Sequence, residues 1–78
     1  MQTIELNEVK SGEMFEIMSG FPCSNYVTEL SERIPYQMCS NGKAWSIEED
    51  KYAILFPNLN VRVFDDSEVK VVEEMYGI

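Results

Sequence analysis

The 78-residue sequence has no histidine, two cysteines, three prolines, and only six Lys and Arg beside fourteen Asp and Glu. Without histidine the usual proton shuttle and the nucleophile arrangements built on it are missing. Two cysteines with no close pairing and no histidine give no zinc knuckle, so no metal and no cofactor is expected. The formal charge of -8 leaves no counterion release to drive binding to DNA or RNA, which argues against direct nucleic-acid binding. No run approaches the roughly 20 apolar residues of a membrane span, and Met1 to Lys10 is too polar and acidic for a secretory leader. A cytoplasmic, membrane-free protein with reduced thiols at Cys23 and Cys39 is therefore expected, although sequence alone does not exclude a bridge between them. Gly12, Gly20, Gly42 and Gly77 are too scattered to form a phosphate-cradling loop.

What is present reads as one small domain over residues 1–78, because a chain this short rarely divides into two cores. Short runs rich in β-branched and aromatic residues are separated by turn formers every eight to twelve positions, the pattern of small sandwiches and barrels. The expectation is a mainly β fold, a barrel of five to seven short antiparallel strands.

After the turn-like Lys10-Ser11-Gly12, Phe15 and Ile17 fall on one face of a strand. A second strand is expected at 25–29, and at most one helical turn at 28–33, which Pro35 ends. Asn41-Gly42 predicts a hairpin between Tyr36–Ser40 and Lys43–Ile47 through a type I′ turn. Glu48-Glu49-Asp50 predicts a solvated turn, and the apolar run Tyr52–Phe56 an inner strand. Pro57, Asn58 and Asn60 mark a reversal before a strand at Val61 and Val63. Asp65-Asp66-Ser67 reads as an acidic turn and 67–76 as a final strand. A helix capped by Ser67 and ended by Gly77 is the rival there, disfavoured by three valines in four positions. The first residues and Met75–Ile78 are expected to fray or add an edge strand.

Two passages, residues 4–17 and 52–72, resemble small tailed-bacteriophage proteins with SH3-like β-barrels. The resemblance is carried by Leu6 or Val9, Gly12 and Phe15, and then by Ala53, Val61, Phe64-Asp65-Asp66 and the valines at 69, 71 and 72. It covers about half the chain. The sequence departs from the pattern at Leu59, where a turn glycine is usual, at Glu29, where Lys is frequent, and in a longer segment at 30–51. The resemblance implies an SH3-like barrel and a phage accessory protein of the host cytoplasm, without a catalytic motif.

Eight of the fourteen acids fall in three clusters: Glu48, Glu49 and Asp50; Asp65, Asp66 and Glu68; Glu73 and Glu74. Such acids commonly serve as a solvated face that discourages aggregation. The functional alternative is a surface presenting carboxylates to Arg and Lys of a host protein, with Trp45 and Tyr36 as aromatic anchors. Tyr26, Tyr36, Trp45 and Tyr52 are otherwise expected to pack within the fold. The expected function is non-catalytic binding and modulation of a host protein with a basic surface. The alternatives are a structural protein that oligomerises through exposed barrel edges, and an acidic mimic of nucleic acid.

Overall fold

A hairpin at Asn41-Gly42 is present in the computed structural model, which describes residues 3–18 and 34–78. Strand β3 (Tyr36–Met38) pairs antiparallel with β4 (Ala44–Ser46), but the reversal is not a type I′ turn. Gly42 has a φ of 79° while Asn41 stays out of the left-handed region. The Gly42 N–H donates to the Cys39 carbonyl at 3.0 Å, and the Cys39 N–H to the Lys43 carbonyl at 2.9 Å. This is the three-residue loop closed by a glycine bulge. One extra residue spares Asn41 a positive φ and frees its Oδ1 to accept from the Lys43 N–H at 3.0 Å.

Four further strands complete an antiparallel sheet: β1 (Ile4–Glu5), β2 (Met14–Ile17), β5 (Lys51–Ala53) and β6 (Asn60–Val63), in the order β1-β6-β2-β3-β4-β5. Ile4–Glu5 thus forms an edge strand, one of the two outcomes expected near the start of the chain. Past β1 a 3-10 turn, Leu6–Glu8, stays tied to the segment before β6. There the Leu6 N–H donates to the Leu59 carbonyl at 2.8 Å and the Asn7 N–H to that of Pro57 at 2.9 Å. Strands β5 and β6 are consecutive in the chain yet four places apart in the sheet. In a flat sheet that gap is about 19 Å, close to the roughly 23 Å limit of a fully extended six-residue link. The link instead contains a turn at Pro57-Asn58, so the sheet curls into a small barrel-like form, left open between β1 and β5.

The two-residue period of β2 explains why three of its four residues are buried. Phe15 points into the curl, where it joins Leu6, Val9, Met38, Ala44 and Val61 and stacks on Tyr36 with ring centroids 5.7 Å apart. Met14 and Glu16 point to the other face, which a helix covers. Phe15 and Val61 are fully buried, and removing each from water contributes about 1.5–3 kcal/mol.

That helix, α1 (Asp66–Tyr76), replaces the expected final strand. Asp65 is its N-cap, not part of a turn between strands: Asp65 Oδ1 accepts from the Glu68 N–H at 2.9 Å and Glu68 Oε1 from the Asp65 N–H at 3.0 Å. Gly77, with φ 68°, closes the C-terminus. Val72 is buried against Met14 and Phe64, with Val69 and Tyr76 alongside. Reciprocal capping and this apolar stripe outweigh the weak helix propensity of valine, a difference of only tenths of a kcal/mol per residue. Met75 and Tyr76 accordingly continue the helix instead of fraying.

Tyr52–Phe56 is not an inner strand. β5 lies at the sheet edge, Tyr52 is half exposed, Phe56 is 77% exposed and Ile54 is fully exposed, while Leu55 packs on the core. The strand expected at 25–29, the helical turn at 28–33, Cys23 and Tyr26 all lie outside the described residues.

Candidate functional site

The acidic clusters occupy the two ends of α1, whose eleven residues span about 16 Å. At the N-terminal end the register of β2 and β6 sets Glu16 opposite Arg62 on the face under the helix. Arg62 Nε donates to Glu16 Oε1 at 3.1 Å, and its two terminal nitrogens donate to the two carboxylate oxygens of Glu68, Nη1 to Oε1 at 3.0 Å. The side chains of Arg62 and Glu16 retain 15% and 8% of their exposure, so this is a largely desolvated triad. The guanidinium also lies 5.3 Å from the centre of the Phe64 ring.

Hydrogen bonding to Glu68 pushes the Arg62 pKa above its ordinary value against the cost of burial. The reciprocal bond from Arg62 holds the Glu68 carboxyl below the usual range. Asp65 is likewise lowered, first by the Ser67 hydroxyl, which donates to it at 2.6 Å, and then by the Glu68 N–H. Asp65 and Glu68 thus serve the helix cap and Arg62, while Asp66 is exposed in the first turn.

The other end differs. Glu48, Glu49 and Asp50 are exposed in the turn between β4 and β5. The fully buried Ser46 holds that turn: its Oγ accepts from the Glu49 N–H at 3.3 Å and its carbonyl from the Asp50 N–H at 2.8 Å. Asp50 adopts φ 56°, a conformation aspartate tolerates better than most residues. Glu49 meets Lys51 at 3.3 Å with both side chains mostly in water, a pair worth at most about 1 kcal/mol.

Next to this turn Trp45 meets Tyr52 edge-on, with centroids 5.0 Å apart and planes at 88°. Lys43 lies 5.6 Å from the Tyr52 ring centre. Between Trp45 and the end of α1 is a groove of about 390 Å³ lined by Gln37, Trp45, Ile47, Asp50, Tyr76 and Ile78. The last turn of α1 has no basic residue to offset its negative end and itself carries Glu73 and Glu74, Glu74 exposed.

Tyr36 is not beside Trp45. The β3–β4 register pairs it with Ser46 and Gln37 with Trp45, which sends Tyr36 into the core against Phe15. Burial raises its phenol pKa, and the nearby charges of Glu49 and Glu48 raise it further. Of the residues expected to bind a partner, the structure therefore gathers Trp45 and Asp50 in one groove. It commits Glu68 and Asp65 to internal bonds and gives Tyr36 to the core. Arg62, Glu16 and Tyr76 were absent from the sequence-based set. The spacing Asp65-x-x-Glu68, a capping box, and the helical period of Val69, Val72 and Tyr76 were the signals that would have found the helix and, through it, Tyr76.

A second and larger groove, about 760 Å³, opens where the curled sheet fails to close; the core residues Leu6, Val9, Met38 and Ala44 form part of its lining, with the exposed Tyr52 and Ile54 and with Lys43 at its side. Cys39, a free and partly buried thiol, has its Sγ 3.9 Å from the Gln37 carbonyl. Among the described residues no three His, Cys, Asp or Glu side chains converge as metal ligands, and no helix is long and apolar enough to cross a membrane. No family model, no curated protein and no solved structure matches the chain.

Proposed function

We propose that this chain is a non-catalytic interaction module that binds a basic segment of another protein, seating one Arg or Lys side chain between Trp45 and Tyr76. The observation that carries the proposal is the make-up of that groove, two aromatic residues with the Asp50 carboxylate at the end of a helix that lacks basic residues in its last turn. A cation entering it meets an aromatic ring, a contact worth about 0.5–2 kcal/mol depending on desolvation. The helix terminus adds about 0.3–1 kcal/mol. Glu48 and Glu49, with the net charge of -8, act at longer range by raising the encounter rate more than the affinity.

The wider proposal, an accessory protein of a tailed phage acting on a basic surface of a host protein, rests on the sequence resemblance at 4–17 and 52–72. Trp45 is the sole tryptophan, so its fluorescence reports directly on the groove. Titration with an arginine-rich peptide is expected to shift that fluorescence at low salt, and a matched acidic peptide is expected to leave it unchanged. Glu48→Lys combined with Glu49→Lys and Asp50→Asn is expected to weaken binding at least about tenfold, and salt to weaken it in the parent. Affinity unchanged by both the variant and the salt rejects the proposal. Capture of a basic protein from bacterial lysate, lost at high salt and in the triple variant, extends it to the host.

A further inference from the structure

We propose that this chain also pairs with a second copy of itself through Tyr52–Phe56, the end of β5 and the three residues that follow it, antiparallel about a two-fold axis through Ile54. β5 ends the sheet, and Ile54–Phe56 has no ladder partner among the described residues. Continuing the strand period, Tyr52, Ile54 and Phe56 share one side, and all three are exposed, Ile54 completely. An edge of this kind is what soluble proteins ordinarily blunt with charge, a bulge or a covering element. Here the one charged residue of β5 is Lys51 at its start, and the residues from Tyr52 to Val61 carry no charge.

The spacing of the row selects both the occupant and the register. With the axis at Ile54, Tyr52 lies across from Phe56 of the second copy, Ile54 across from Ile54, and Phe56 across from Tyr52, so every exposed apolar side chain meets another. Moving the axis to Ala53 sets Phe56 across from Asp50, an apolar ring against a carboxylate. Moving it by half a step pairs odd with even positions and faces the apolar row to opposite sides. Pro57, which has no N–H, ends the ladder, and the contact is isologous, so it closes at two copies instead of growing into a fibre.

The area also sets the size class of the contact. Three such side chains on each copy bury roughly 700 Å² in total, below the roughly 1,200 Å² at which stable interfaces begin. So small a contact makes the pair transient, and two anionic chains separate more readily at low salt.

Sedimentation of the full chain from about 10 µM to about 1 mM tests this, with dimer expected to predominate at the upper end. Ile54→Lys, a change at a side chain already in solvent, is expected to return the mass to that of a monomer. For register, Ile54→Cys is expected to form an intermolecular disulfide linking position 54 to position 54 at least about tenfold faster than Phe56→Cys or Val71→Cys form their own, as peptide mapping will read. Raising salt from about 50 to about 500 mM is expected to tighten this association while loosening binding of the arginine-rich peptide, so failure of one proposal is separable from failure of the other. A monomer mass unchanged through about 1 mM, dimerisation unaffected by Ile54→Lys, or equal crosslinking at 54, 56 and 71 overturns the proposal.

Discussion

The two ends of α1 carry acids that look alike in the sequence and differ in the fold. At the N-terminal end Glu68 caps the helix and grips Arg62, which also holds Glu16. At the C-terminal end Glu48, Glu49 and Asp50 project into water beside Trp45, and Glu49 has only the exposed Lys51 as an ion-pair partner among the described residues. A net charge of -8 is therefore a poor measure of the charge on offer to a partner. What matters is which carboxylates already have their hydrogen bonds filled.

The sharpest way to break this contrast is to remove the cation at the first end. Arg62→Met withdraws the guanidinium from two carboxylates in a largely desolvated site, and is expected to cost about 3 kcal/mol in urea unfolding. A loss no larger than that of an ordinary surface change, within about 0.5 kcal/mol, would mean that the triad is ornamental.

Acid sharpens the same point. The Glu68 and Asp65 carboxyls have folded pKa values below the ordinary 4.5 and 3.8, so the unfolded chain binds their protons more readily. The stability they confer is present above those ordinary values and is lost as pH falls through the lower, folded ones. Unfolding midpoints followed from pH near 6 downwards are expected to drop over that window in the parent. They are expected to drop less steeply in Arg62→Met, where the main cause of the Glu68 shift is gone.

Asp65→Ala should fray the first turn of α1, seen as faster amide exchange confined to residues 66–69, while Asp65→Asn keeps a capping oxygen and most of the protection. The smallest expected effect is on Tyr36. Its raised phenol pKa means that the folded protein holds the proton more tightly, so the associated stability is complete below the ordinary value of 10.0 and fades as pH rises through the folded one. In Glu48→Lys/Glu49→Lys the phenolate absorbance should appear at lower pH than in the parent, because two of the three causes of the shift are removed.

How much of this could be read beforehand divides along the same line of local against distant causes. The Asn41-Gly42 reversal, the β2 strand after Gly12 and the solvated turn at Glu48–Asp50 are written in adjacent residues, and they are present. The glycine-bulge form of the hairpin needed one more residue than the Asn-Gly pair declares. The helix at Asp66–Tyr76 was obscured by its valines, although the reciprocal cap between Asp65 and Glu68 was available in the sequence. Burial of Tyr52–Phe56 could not be inferred from the run itself. Whether a strand has neighbours on both sides depends on the order β1-β6-β2-β3-β4-β5, set by contacts between residues far apart in the chain. The candidate groove has the same origin. Trp45 was singled out in the sequence, but Tyr76 comes to line the same groove only because residues 66–76 are helical and lie across the sheet.

The most direct test of the contrast between the two ends is urea unfolding of Glu68→Lys beside Glu48→Lys/Glu49→Lys/Asp50→Asn, the asparagine chosen because it also tolerates the φ of 56° at position 50. Glu68→Lys is expected to lose about 3 kcal/mol, while the triple variant stays within about 0.5 kcal/mol of the parent. Equal losses in the two variants, or a larger loss in the triple variant, would contradict the account.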